Sequence, residues 1–249
     1  MPNPCFYEST WPIRWRDANS HGCCRPSALL EFFQECALEA PEKLGLTPDV
    51  LSKRYGAFWM LARVRYLLTL PIHWREEITL RTWHRPPKGM VLCRDFDILR
   101  SGTKIGEAMA LWGLADLSTR HLINLGEVPE LSAHTGGSLC RSAPLRPLPA
   151  PEEMTMAGNF SVPYSQTDRN GHFNNARYAD LICDYVPMEL WDGARFPTAL
   201  QIDYRGESQT GDQLTLLRSA GEQKDVFRFR GLGADGTRRF DAMLTFAEE

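Results

Sequence analysis

Two stretches of this 249-residue chain carry the same signals in the same order, and that internal repeat limits the possible folds more than any single motif. Asp17-Ala-Asn-Ser-His21 matches Asp168-Arg-Asn-Gly-His172 at an offset of 151. Glu77-Ile-Thr-Leu80 then aligns with Gln213-Leu-Thr-Leu216 at 136, and Gly102 to Trp112 with Gly236 to Phe246 at 134. The shrinking offset leaves about 15 extra residues of the first copy between its helix and its next strand. Each turn motif precedes an amphipathic helix. In the first copy Pro26 sits near the helix start, and Leu29, Leu30, Phe33, Cys36, Ala37 and Ala40 recur at the helical period. In the second, Asn174 or Asn175 suits an N-cap, and Ala179, Ile182, Cys183 and Val186 mark a buried face.

Strands follow both helices. Val226-Phe-Arg-Phe-Arg230 and Arg94-Asp-Phe-Asp-Ile98 alternate apolar and charged side chains, the pattern of a half-buried antiparallel strand. Ser101-Gly102 and Asp235-Gly236 read as hairpin turns. A Gly- and Pro-rich stretch separates the copies and reads as an extended linker. The expected architecture is α+β: residues 1–133 and 156–249 each form an antiparallel sheet curled around one long helix, with residues 134–155 between them. Joined edge to edge as an intramolecular pseudo-dimer, the two sheets would lose two open edges.

Composition excludes several classes. With 43% hydrophobic and 24% charged residues the chain is ordinary globular protein, and its net charge of −3 argues against a chain-wide nucleic-acid footprint. No uncharged apolar run approaches ~18 residues, and no basic segment precedes an apolar one at the N-terminus, so neither a membrane span nor a signal peptide is expected. Seven cysteines, an odd number without Cys-x-x-Cys spacing, fit reduced thiols in the cytoplasm. The six histidines show no metal-ligand spacing, and no glycine-rich phosphate loop is present, so neither metal nor cofactor is expected.

In extended backbone, residues at i, i+2 and i+4 point to one side, so Asp168, Asn170 and His172 would converge ahead of a helix N-terminus. A carboxylate, a carboxamide and an imidazole together suit acyl-bond hydrolysis, with water activated by acid or imidazole and the oxyanion held by an amide or N–H. The same residues also make a tight polar turn, and spacing alone favours that reading. Comparison of the copies shifts the balance. Glu207, in Asp203-Tyr-Arg-Gly-Glu-Ser208, aligns with Pro71, so only the second copy adds an acid on the following strand.

The chain resembles the acyl-acyl-carrier-protein (acyl-ACP) thioesterases of plants and bacteria over almost its whole length. The resemblance rests on Phe33-Gln-Glu-Cys-Ala37, Phe58-Trp-Met-Leu-Ala-Arg63, Thr82-Trp83 and Arg94-Asp-Phe96 in the first half. In the second half it rests on Asp168-Arg-Asn-Gly-His-Phe-Asn-Asn175, Tyr178 and Tyr204-Arg-Gly-Glu-Ser208. It implies two tandem hotdog units, a role in fatty acid biosynthesis, and hydrolysis of fatty acyl-ACP to free fatty acid and carrier. Asp168, Asn170, His172 and Glu207 match the family's catalytic positions. The family often has a cysteine after that glutamate; here Ser208 stands there, which argues against a Cys–His mechanism unless Ser208 substitutes. The resemblance also assigns the acyl chain to the first copy, with Phe32, Phe33, Phe58, Trp59, Met60 and Leu61 as wall candidates, most of which are equally ordinary core. The partner it implies is acidic, and residues 1–125 (16 basic, 13 acidic) or linker residues Arg141 and Arg146 offer it a better surface than residues 126–249 (12 and 18).

Three alternatives remain open: an acyl-CoA thioesterase, a hotdog hydratase or dehydratase, and a non-catalytic acyl-binding protein. Hydratases of this fold resemble Asp-x-Asn-Pro-x-His, one residue longer than the string here. Pairing of two chains into a homodimer also stays open.

Overall fold

The computed structural model describes residues 6–133, 135–136, 145–149, 153–191, 195–220 and 225–248. Cys5, Cys140, Arg141 and much of the expected linker lie outside the described residues. The chain forms two compact units, one of Met1–Pro12, Phe32–Val64 and Glu77–Leu145, the other of Ile13–Glu31, Arg65–Glu76 and Arg146–Glu249. The first copy's turn motif therefore clusters with the second unit.

The N-terminal half contains β1 (Tyr7–Pro12), α1 (Pro26–Glu42), α2 (Pro48–Tyr55), β2 (Ala57–Leu68), β3 (Glu77–His84), β4 (Leu92–Arg100), β5 (Thr103–Asp116) and α3 (Pro129–Ala133). Its strands lie in the order β1-β3-β4-β5-β2, with β1, β3, β4 and β5 antiparallel in succession. All six apolar positions of the α1 stripe are buried, Cys36 completely. Phe33 packs on Phe96 of β4 with ring centroids 4.9 Å apart, and Phe32 stacks on Trp11 of β1. The extra residues of this copy make α2. Thr47 starts it by accepting the Val50 N–H, Pro48 occupies its first turn, and Gly56 ends it in the left-handed conformation.

The half-buried pattern expected for Arg94 to Ile98 is corrected by the structure. Leu92, Arg94, Phe96 and Ile98 are buried, and Cys93 and Asp95 are buried as well. Cys93 belongs to a second apolar cluster with Met109, Leu111 and Leu145, while Arg85 closes a two-pronged ion pair on Asp95 at 2.7 Å for each contact. Both faces of β4 are therefore covered.

The C-terminal half contains β6 (Thr155–Ser161), α4 (Arg177–Asp184), β7 (Arg195–Tyr204), β8 (Gln213–Ala220), β9 (Val226–Gly233) and β10 (Arg238–Glu248). Its order, β7-β10-β9-β8-β6, reproduces that of the first five strands, with antiparallel pairing at each step. Close packing at the β9–β10 pair needs a glycine, since a Cβ on Gly231 would lie 2.1 Å from the buried Phe240 ring. The long helix expected here is only eight residues. Pro187 disfavours helical backbone at Val186 and so stops the helix after two turns. Ala179, Ile182 and Val186 are buried as expected; Cys183 is only half-buried, and Tyr178 and Leu181 complete the face. Asn174 caps the turn before the helix instead of occupying the N-cap, its Oδ1 accepting the Ala176 N–H.

No helix among the described residues is long and apolar enough to cross a membrane. Cys24, Cys36 and Cys183 are free thiols. Burial pushes the Cys36 thiol up to about 11 and the Cys24 thiol up to about 12, against an ordinary value of 9.0. Between pH 9 and those values the unfolded chain has lost protons that the native state keeps, so stability falls as pH rises. The melting temperature should hold up to about pH 8.5 and then decline, with a shallower decline in Cys36→Ala; a flat profile to pH 10.5 would contradict this.

Candidate active site

Both copies enter their helix through the same turn. A short 3-10 turn (Trp15–Asp17 or Tyr164–Gln166) is followed by a residue whose side-chain oxygen accepts two backbone N–H groups. Asp168 Oδ1 takes those of Asn170 at 2.8 Å and His172 at 3.2 Å; Asn19 Oδ1 takes those of His21 and Cys23, both at 3.0 Å. Gly171 and Gly22 close the two turns at φ of 78° and 79°, a conformation glycine adopts without steric cost.

This geometry corrects the register read from the sequence. The structural offset at the turn is 149, so Asp168 corresponds to Asn19, Asn170 to His21 and His172 to Cys23. The matched string Asp-x-Asn-x-His is displaced by two residues. Asp and Asn close this turn interchangeably, so identity at Asp17 and Asp168 marks no shared role. Asp17 instead accepts the Arg14 N–H. The second offset stands: the Phe173 N–H donates to Ser208 O as the Cys24 N–H does to Ile72 O, which sets Glu207 opposite Pro71.

After the turn the chain runs beside the loop that follows β7. His172 bridges to Gln209, and its Nε2 lies 3.3 Å from Glu207 Oε2. Glu207, with 44% of its side chain exposed, faces His172 at the surface, while the adjacent Ser208 is buried and its hydroxyl accepts from Tyr178 at 3.4 Å. Burial in this aromatic nest, which includes Phe173, Tyr204 and Phe240, pushes the Tyr178 hydroxyl up to about 12.

The four candidate residues are thus brought together unequally. His172 and Glu207 are paired. Asp168 is half-buried and spends Oδ1 on the turn, leaving Oδ2 without a hydrogen bond among the described residues. Asn170 is exposed, and no hydrogen bond joins its carboxamide to the pair. Near the helix start the N–H groups of Phe173, Asn174, Ala176 and Arg177 are all engaged within the protein. In the first copy Cys23 Sγ lies 3.9 Å from His73 Nδ1, with no acid at Pro71.

Of the wall candidates, Phe32 and Phe33 are core residues; Phe58, Met60 and Leu61 are half-buried, with Arg120 over the Phe58 ring at 4.9 Å. Trp59 lines a cleft of the first unit together with Leu92, Arg94 and Trp112. Arg94 and Trp112 are cleft residues that stand outside the sequence candidates. The period-2 pattern of β4, which places residue 94 on the face of Phe96 and Ile98, was the signal for the first. No group of three His, Cys, Asp or Glu side chains among the described residues is arranged to hold a metal ion.

The acyl-ACP thioesterase N-terminal domain profile matches residues 4–130, and the C-terminal domain profile matches residues 150–242. The chain belongs to the acyl-ACP thioesterase family. Among curated members it is 21% identical over 87% of its length to a chloroplastic acyl-[acyl-carrier-protein] hydrolase of Cuphea viscosissima. It is also 21% identical over 91% of its length to the chloroplastic oleoyl-acyl carrier protein thioesterase 2 of Arabidopsis thaliana. It spans 56% and 66% of those two proteins. Among solved structures, an acyl-ACP thioesterase from Bacteroides thetaiotaomicron superposes with a TM-score of 0.84 at 20% identity, covering 98% of both chains. The 12:0-ACP thioesterase of Umbellularia californica gives 0.78 at 16% identity over 100% of both. Each repeat of this family member is accordingly a hotdog unit.

The turn separates the charge of Asp168 from its shape. Asp168→Asn keeps an acceptor at the same place, as Asn19 does, and should leave stability within about 0.5 kcal/mol, whereas Asp168→Ala orphans two N–H groups and should cost about 1–2 kcal/mol. Urea unfolding of the two variants compares them directly, and equal losses would mean the turn does not depend on that oxygen.

Proposed function

We propose that this protein is a thioester hydrolase that cleaves fatty acyl-ACP at the His172–Glu207 pair, releasing free fatty acid and holo-carrier. The observation that carries the reading is the 3.3 Å approach of His172 Nε2 to the exposed Glu207 carboxylate, built on the repeat that has the acid and absent from the repeat that lacks it.

In this mechanism Glu207, oriented by His172, takes a proton from a water molecule whose oxygen attacks the thioester carbonyl carbon. The uncommitted Asn170 carboxamide donates to the oxyanion. Collapse breaks the C–S bond, and the thiolate, the anion of a thiol with pKa of about 8–9, leaves with little help from an acid. Asp168 holds the loop and lends its charge through Oδ2. Its two accepted N–H bonds disfavour it as the attacking nucleophile, and the buried Ser208 hydroxyl is turned toward Tyr178. The N-terminal repeat hosts the acyl chain, with the half-buried Phe58, Trp59 and Met60 as its wall over the core residue Phe33, and the C-terminal repeat supplies the chemistry. The acidic carrier meets the basic excess of the first half together with Arg146, which is exposed. A reducing compartment such as the cytoplasm suits the free thiols.

Steady-state release of thiol from acyl-ACPs of graded length tests the assignment. Glu207→Gln and Asp168→Asn should each lower kcat by about 10²–10⁴-fold, while Ser208→Ala should stay within about threefold of the native enzyme. Near-native turnover in Glu207→Gln would remove the mechanism. Higher kcat/KM on acyl-CoA than on acyl-ACP would replace the carrier, and absence of thiol release from saturated chains would point to a hydratase.

A further inference from the structure

The turn ahead of α1 carries an aromatic and cationic surface that the fold itself does not require. Two backbone segments build it, residues 13–17 and 73–76, both within the second unit. The Ile13 N–H donates to Glu76 O and the Arg75 N–H to Ile13 O, so the segments lie side by side. Trp15 is 77% exposed and meets Trp74 edge to face, with ring centroids 5.0 Å apart. Arg75 lies over the Trp74 ring at 4.1 Å, and Arg14 and Arg16, on either side of Trp15 in sequence, are exposed. The two acids of these segments are engaged locally. Asp17 is buried, accepts the Arg14 N–H and lies 3.7 Å from Arg16, while Glu76 accepts the His73 N–H. Among the described residues neither Arg14 nor Arg75 pairs with a carboxylate.

The second repeat has the same backbone without this surface. Val162 and Gly211 repeat the hydrogen bonds of Ile13 and Arg75, and Asp212 accepts the Gln209 N–H as Glu76 accepts that of His73. Pro163, Ser165 and Gly211 therefore stand where the first repeat has its three arginines, and Tyr164 and Thr210 stand in place of its two indoles. The turn thus folds with one aromatic residue and no cation at these five positions. Gly211 has a φ of 90°, and Arg75 holds the same left-handed backbone at 71°, where a Cβ is disfavoured. The first repeat keeps a sterically costly arginine where glycine would serve, and leaves most of an indole in water.

We propose that this surface seats the protein on an anionic phospholipid bilayer, with Trp15 at the level of the headgroups and Arg14, Arg16 and Arg75 on lipid phosphates. Charge complementarity sets the sign of the partner, since the cations are exposed and the neighbouring acids are engaged. All three cations are arginines, whose planar fork donates to two oxygens of one phosphate, and a guanidinium lying over a ring keeps its in-plane N–H groups available. An indole flanked by arginines suits the membrane–water interface, where one end of the ring is apolar and the other wet. Trp15 stands out from a turn, so it enters a deformable interface directly, whereas a folded acidic partner needs a pocket shaped to receive it. The inference is independent of the thioesterase reading, and its test uses no thioester.

The intact chain is sedimented with vesicles of phosphatidylcholine alone and with vesicles containing about one third phosphatidylglycerol. Binding should be at least about tenfold tighter to the anionic vesicles, and should fall by a similar factor between about 0.05 M and about 0.5 M salt as the charges are screened. The triple variant Arg14→Gln, Arg16→Ser, Arg75→Gly should lose about tenfold or more of that binding, and Trp15→Ser severalfold. Arg75→Gly alone should weaken binding yet melt no lower than the native chain, because glycine relieves the left-handed backbone. Equal binding to the two kinds of vesicle, or anionic binding that survives both the triple variant and Trp15→Ser, overturns the proposal. So does failure to bind vesicles by a chain whose Trp15→Ser variant loses affinity for an acidic carrier protein, which would give the surface to that partner.

Discussion

The Oδ1 atom of Asp168 accepts two backbone N–H groups and, with Gly171 in the left-handed conformation, bends the chain back on itself within five residues. The returning strand then pairs with the loop after β7, through the Phe173 N–H on Ser208 O and the bridge between His172 and Gln209. This backbone pairing sets an imidazole beside a carboxylate 35 residues further along the chain. Both are carried to the meeting point by main-chain geometry, the hydrogen-bonded turn on one side and the loop after β7 on the other.

The first repeat has the same turn without the paired side chains. Asn19 closes the same turn, and Cys24 makes the same backbone contact as Phe173. Yet Cys23 and Pro71 stand where the second repeat has His172 and Glu207. One copy carries the paired imidazole and carboxylate, and the other has the longer helix α1, the added α2 and the cleft lined by Trp59, Arg94 and Trp112. The turn itself is the same in both copies, because it depends on an oxygen that Asp and Asn both provide.

Much of the architecture was legible because it is written in period. The α1 stripe and the strands of each copy follow from spacing alone, and the match of two offsets, 136 and 134, foretold the shared strand order. The errors have local causes. Identical letters align the turn strings at an offset of 151, whereas hydrogen bonding aligns them at 149. The length of α4 was set by Pro187, whose effect on Val186 outweighs the apolar stripe. The charge of Arg94 suggests an exposed position in β4, but its parity with Phe96 and Ile98 puts it on the core face.

By itself the sequence determined the repeat, the order of elements in each copy, and the single copy in which an acid follows the Asp-x-Asn-x-His string, because periodicity and turn chemistry are short-range properties. Only the tertiary structure decided that His172 meets Glu207 while Asp168 is held by its own turn, and that Arg94, Trp59 and Trp112 share a cleft. Those facts join residues tens of positions apart, and side-chain proximity across packed strands is set by register and burial, which no local pattern records.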